Sequence, residues 1–180
     1  LQSMISFRTS MSEKCKLFES LFRDFINSKD VVFLNSGSSA DLLAMSILVK
    51  SPEYDLKKGD KVLVPAITWP TQVWSIIQAG LCPVLYDCSI KTFNPDITTV
   101  PEEVLSQCKM IFTTHILGTC CDMDELQEYA EKYNLLIAED ACESLGTKYR
   151  GQQVGTFGEV GTFSSFFSHH ITTMEGGLLC

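Results

Sequence analysis

The residues able to do chemistry fall in five short blocks of the 180-residue chain. Asn35-Ser36-Gly37-Ser38-Ser39-Ala40 joins a glycine and three hydroxyls at what reads as a helix start. Free backbone amides beside hydroxyl donors make a cradle for a phosphate, and the same residues also make an ordinary helix cap. Trp69, in Pro65-Ala66-Ile67-Thr68-Trp69-Pro70, offers a face on which a flat ring can stack, or a core side chain. His115, between Thr114 and Gly118, reads equally as a ligand contact and as a satisfied buried group. Glu139-Asp140-Ala141-Cys142-Glu143 ends an apolar run in two acids, at least one of which must be paired or wet. Asp140 suits a cationic ring nitrogen; the rival, a metal, lacks a nearby His–carboxylate cluster at ligand spacing. The last block, Thr162 to Gly177, brackets His169-His170 with hydroxyls and ends in Glu175-Gly176-Gly177. Neighbouring side chains of an extended segment face opposite ways, so one of the two histidines points into a site.

These blocks need elements to hold them together. Val31–Leu34, Lys61–Val64, Pro83–Tyr86, Met110–Thr113 and Leu135–Ala138 are near-continuously apolar, as strands buried on both faces are, and they predict a parallel sheet. Between them, Ala40–Val49, Gln72–Ala79, Pro101–Gln107 and Asp122–Tyr133 read as helices. Gly80 stands as a C-terminal glycine and Pro101 in a first turn, while Asp122 with Glu125 forms a near capping box. Alternating strands and helices define an α/β doubly wound domain, in which ligands bind at the carboxyl ends of the strands, where these blocks lie. Residues 1–30 read as an N-terminal helical segment and 31–180 as the ligand-binding domain. The apolar run starting at Gly177 reads as a strand cut short, which predicts that the chain is a piece of a larger protein.

Composition excludes several functions. An apolar share of 45% with 20% charged residues belongs to a folded chain. The formal charge of −8, from 14 basic and 22 acidic residues, argues against nucleic acid and anionic membranes as partners. No apolar run approaches the ~18 residues of a membrane span, and the first residues carry no signal-peptide pattern, so a cytoplasmic location is expected. The eight cysteines include no CxxC pair and read as buried free thiols of a reducing compartment.

Together the blocks resemble the DegT/DnrJ/EryC1/StrS sugar aminotransferase family. The matching pieces, in order, are Ser36-Gly37-Ser38-Ser39-Ala40, Gly59–Pro65, Thr68-Trp69, His115-Ile116-Leu117-Gly118, Asp122-Met123, Glu139-Asp140-Ala141, Phe163-Ser164 and Glu175-Gly176-Gly177. The resemblance implies the large domain of fold type I enzymes dependent on pyridoxal phosphate (PLP), with a C-terminal small domain absent, working as homodimers on nucleotide-linked keto-sugars. It also implies roles. Gly37, Ser38, Ser39 and Ser164 would hold the cofactor phosphate, Trp69 would stack on the ring, and Asp140 would pair with the ring nitrogen and keep the ring an electron sink. Glu143 stands near the expected ring hydroxyl, where a glutamate departs from the family's pattern.

The larger departure is at position 169. Aminotransferases of this family carry there, six residues before the Glu of Glu-Gly-Gly, the lysine that bonds the cofactor; this chain has His169, with His170 as the alternative in a shifted register, and no lysine after Lys148. That exchange resembles the sugar 3-dehydratases, which act on GDP- or CDP-linked 4-keto-6-deoxyhexoses. The resemblance implies a cofactor entering as its amine form, pyridoxamine phosphate (PMP), with glutamate as amino donor, and a histidine that gives and takes the proton near neutrality as the C3 hydroxyl leaves. A sugar aminotransferase with an unusual base is the second reading. A non-catalytic nucleotide-sugar-binding regulator is the third, and the retained Asp140, Trp69 and phosphate cradle weigh against it. The CDP group adds an iron–sulfur cluster, which needs about four thiolates; Cys142 would be one ligand, but it reads better as a packed thiol.

Overall fold

The computed structural model describes residues 12–180. Among them lie helix α1 (Glu13–Ile26), strand β1 (Val32–Leu34), α2 (Gly37–Lys50), β2 (Lys61–Pro65), α3 (Pro70–Gln78), β3 (Cys82–Tyr86), a 3-10 turn at Ile97–Thr99 and α4 (Glu102–Leu105). Then follow β4 (Cys108–Thr114), α5 (Met123–Tyr133), β5 (Leu136–Asp140), a short hairpin of β6 (Lys148–Tyr149) and β7 (Gln152–Gln153), β8 (Val160–Ser164) and β9 (Gly177–Leu179). Residues 1–11 of the expected N-terminal helical segment lie outside the described residues; α1 occupies the rest of it.

Among the described residues the main sheet has seven strands in the order β1-β9-β8-β5-β4-β2-β3. Pairing is parallel from β3 through β8, while β9 runs antiparallel to both β1 and β8. Every strand but β9 therefore points the same way, and the carboxyl ends of β1, β2, β4, β5 and β8 share one edge. The amino end of β9 meets them there: Gly177 is opposite both Leu34 and Ser164. Two layers cover the faces, with Met45, Leu48 and Ile76 of α2 and α3 on one side and Met123, Leu126 and Ala130 of α5 on the other.

Local chemistry explains the element ends. Ser36 caps α2, its hydroxyl accepting from the Ser39 amide at 3.1 Å. Pro70 starts α3 at a position where no amide is needed. Asp122 caps α5 by accepting from the Glu125 amide at 3.1 Å, and Asn134 ends it in the left-handed region.

Three expectations need correction. Not every apolar run is buried on both faces: β1 and β3 are the sheet's edges, and Val32 and Leu85 are 44% and 62% exposed. Pro101 stands before the first turn of α4 rather than in it. All eight cysteines are free, but only Cys108 and Cys121 are buried, and Cys82 is exposed.

Candidate functional site

A cavity of about 590 Å³ opens at the carboxyl edge of the sheet. The start of α2 forms one wall. Gly37 packs so closely there that a Cβ would come within 2.9 Å of the Ser164 Cβ and 3.0 Å of the Cys142 Sγ. The first amides of a helix have no acceptor of their own, and those of α2 open beside the cavity-lining Gly37 and Ser38. The Ser38 hydroxyl is tied to Thr71 at 3.2 Å, which fixes the starts of α2 and α3 to each other. Ser164 lines the wall from the end of β8; its Oγ accepts from the Phe166 amide at 3.2 Å. Ser39 does not line the cavity; the Ser36 hydroxyl accepts from its amide and donates to its Oγ, each at 3.1 Å.

Asp140 ends β5 at the cavity floor and is 3% exposed. Its Oδ1 accepts from the Cys142 amide at 3.0 Å. Burial pushes its pKa up, against the Cys142 hydrogen bonds and the nearby His115 ring. No ion pair reaches it among the described residues. Trp69, at the cap of α3, flanks the mouth and is 67% exposed. Beneath it the Thr68 and Thr114 hydroxyls, 2.9 Å apart, both meet the Gln72 side-chain oxygen. The Gln72 amide in turn donates to the Phe112 and Thr113 carbonyls at 3.1 and 3.2 Å. The loop carrying Trp69 is thus pinned to β4. Glu143 lines the cavity, and its carboxylate accepts from the Leu117 amide at 3.1 Å in a turn where Leu117 and Gly118 have positive φ.

His169 lines the cavity and is half-buried; His170 is exposed and does not line it. The divergence has a different cause from the one expected. The segment is not extended: the His169 amide donates to the Phe166 carbonyl at 3.0 Å, closing a turn. His115 is fully buried and outside the cavity. Its Nε2 faces Glu139 at 3.0 Å and its Nδ1 accepts from the Cys121 amide at 3.3 Å, so it is a satisfied core residue.

Sequence reasoning missed Asp41, Thr71 and Gln72. Asp41 and Gln72 sit inside helices, where polar residues ordinarily face water. The one available signal was period: each falls on the buried stripe of its helix, with Ala44 and Met45 for Asp41 and with Ser75 and Ile76 for Gln72.

The residues present fit a phosphorylated pyridine. Helix amides and small side chains close one end, a buried carboxylate without a cationic partner floors the cavity, and an exposed aromatic face stands at its mouth. The fold is that of the large domain of fold type I PLP enzymes. The DegT/DnrJ/EryC1/StrS aminotransferase family model matches residues 2–180, and the chain belongs to that family. It is 40% identical over 170 residues to GDP-4-keto-6-deoxy-D-mannose 3-dehydratase of Escherichia coli O55:H7, covering 94% of this chain and 44% of that protein. A crystal structure of a GDP-4-keto-6-deoxymannose-3-dehydratase mutant with bound GDP-perosamine superimposes with a TM-score of 0.92 at 38% identity, over 99% of this chain and 46% of that one. The E. coli enzyme with bound hydrated PLP gives 0.90 at 38%, with the same coverage. The chain therefore spans less than half the length of these relatives. Among the described residues no group of three or more His, Cys, Asp and Glu side chains converges as a metal site. Cys142 packs instead between Gly37 and Asp140.

Proposed function

We propose that the protein is a PLP/PMP-dependent nucleotide-sugar 3-dehydratase: it takes a nucleotide-linked 4-keto-6-deoxyhexose and removes the C3 hydroxyl. The observation that carries this reading is His169 in the cavity wall with the rest of a PLP site around it and, among the described residues, no lysine lining it. When bound, the cofactor supplies an amine for the sugar's C4 ketone and a ring that accepts electrons.

The chain's own residues do the rest. Gly37, Ser38 and Ser164 surround the phosphate, and the α2 N-terminus offers it amides and a favourable dipole. Asp140 holds the ring nitrogen in its cationic form. Trp69 covers one ring face. On one of its own nitrogens the His169 imidazole would take up the proton given up by the amine-bearing carbon of the bound cofactor, and would deliver it to the C3 hydroxyl oxygen, which departs as water with the C–O bonding pair. A lysine at that place would bond the cofactor and direct the proton to the sugar carbon, which is transamination. This reading also makes the protein a cytoplasmic homodimer that draws its amino group from glutamate. Exposed Trp69, Leu117 and Phe93 around the mouth, at 67%, 73% and 49%, suit coverage by a second copy.

The test uses the full-length protein with PLP, glutamate and a panel of nucleotide 4-keto-6-deoxyhexoses, following ammonia and product mass. Loss of the C3 oxygen with ammonia release is expected. His169→Asn should lower that rate by about 10²–10⁴-fold, the usual worth of a general acid–base group, while PMP still binds. A 4-amino sugar that keeps its C3 oxygen would overturn the reading.

A further inference from the structure

Asp41 has no part in the mechanism above, yet it is a carboxylic acid 2% exposed in the cavity wall. It stands in the second turn of α2 and reaches the sheet at β8: the Thr162 hydroxyl donates to its Oδ1 at 2.8 Å. Thr162 is the register partner of Asp140 in the β5–β8 ladder, so two buried acids line one cavity from adjacent positions. Their surroundings differ. Asp140 has the amide and thiol of Cys142 as donors and the His115 ring nearby, with Glu143 as a further negative neighbour. Asp41 has the hydroxyls of Thr162 and Thr71, with Asp140 itself as the charge that opposes it. Among the described residues no ion pair reaches either acid. Two close carboxylates in a low-dielectric site do not both ionise.

We propose that Asp41 and Asp140 form one acid pair with a single proton, held on Asp41, so that Asp140 alone presents a negative charge to a ligand. The backbone amide and the imidazole favour the anion at Asp140, and Asp41 is the member without either. Burial and then the Asp140 charge push the Asp41 pKa well above the carboxylate range, against its two hydroxyl donors. The ligand part of this inference rests on the cofactor reading above; the ligand-free pair does not.

The test is infrared spectroscopy of the full-length protein carrying ¹³C-carboxyl aspartate, first without ligand. Wild type at pH 7 should show one protonated aspartate carboxyl band, Asp41→Asn should lose it, and Asp140→Asn should keep it but lose it at lower pH than wild type, because the opposing charge is gone. Absence of the band from wild type needs no variant to fold and overturns the pair. So does its survival in Asp41→Asn, or an unchanged midpoint in Asp140→Asn. Saturation with PMP should leave the band in place, since the ring nitrogen meets Asp140; its loss on binding overturns the assignment of the proton to Asp41. Failure of PMP to bind would count against the cofactor reading and leave the ligand-free result to decide the pair.

Discussion

Glu139 is the residue whose replacement should cost most for the least change in shape. It is fully buried in β5 and its two oxygens serve four donors. Oε1 accepts from the Phe157 and Gly158 amides at 2.6 and 2.8 Å. Oε2 accepts from the Gly155 amide at 2.7 Å and faces His115 Nε2 at 3.0 Å. Glu139→Gln keeps the shape and replaces one oxygen with an NH₂ group, which donates. Turned to serve Phe157 and Gly158, the amide confronts the Gly155 amide and His115; turned the other way, it strands Phe157 and Gly158. The His115 tautomer cannot relieve the first case without cost, because Nδ1 already accepts from the Cys121 amide at 3.3 Å. Two buried donors are left unpaired either way, at about 1–3 kcal/mol each, or roughly 4 kcal/mol together. It is a large share of an ordinary protein's ~5–15 kcal/mol of stability. Glu143→Gln is the control: its half-buried carboxylate serves one amide, Leu117, and its loss should cost under about 1 kcal/mol. Urea unfolding of the full-length proteins measures both. A Glu139→Gln cost of 1 kcal/mol or less, or one equal to that of Glu143→Gln, would refute the donor count.

Gly177→Ala should destabilise by about 1–3 kcal/mol or more, because its Cβ would meet the Ser36 carbonyl and the Gly37 nitrogen, which are backbone and cannot rotate away. The same collision displaces the start of α2, so affinity for inorganic phosphate or PMP should fall with it, read by titration calorimetry. Trp69→Ala should do the opposite: the side chain is 67% exposed, so the melting temperature should move little while PMP affinity drops about tenfold or more through lost stacking. Asp41 sets a pH dependence. Its folded pKa is raised, so its contribution is fully present below the unfolded value of about 3.9 and is lost as pH rises toward the folded one. Asp41→Asn removes that loss, so its melting temperature relative to wild type should climb as pH rises from the unfolded value toward the raised folded one; a flat difference would contradict it.

The sheet was legible because its strands are apolar runs between capped helices, and a parallel ladder demands that pattern. The partner of β1 was not legible. β9 is three residues long and starts with glycine, and nothing local announces that it inserts between β1 and β8 with reversed direction. Of the candidate site, Gly37 and Asp140 could be noticed because a glycine and an acid just past apolar runs are rare, whereas His169 was set apart from His170 only by the family resemblance. Ser39 was harder to read, because a cap and a cradle use the same residue types, and only geometry shows that it is hydrogen-bonded to the Ser36 hydroxyl and set outside the cavity lining. Asp41 and Gln72 stayed hidden for the reverse reason. Their partners are Thr162 and the Phe112 carbonyl, 121 and 40 residues away, and no window along the chain contains both ends of such a bond.

The placement of His169 separates binding from chemistry in this fold. Gly37, Asp140 and Ser164 stand at the ends of α2, β5 and β8, whose backbones are fixed by the ladder and the helix. His169 stands on the irregular stretch between β8 and β9, whose two ends are clasped together. The Ser165 amide donates to the Gly176 carbonyl at 3.0 Å and the Thr173 amide to the Ser165 carbonyl at 2.9 Å, while the two hydroxyls meet at 2.7 Å. The clasp keeps the loop's base in register with the sheet whatever side chain its tip carries. A change from lysine to histidine at the tip would therefore leave the α2 and β8 wall and the Asp140 carboxylate where they are. On the function proposed above, such a change removes the amine that would bond the cofactor and puts an imidazole in its place as the proton-exchanging group, within an unchanged frame.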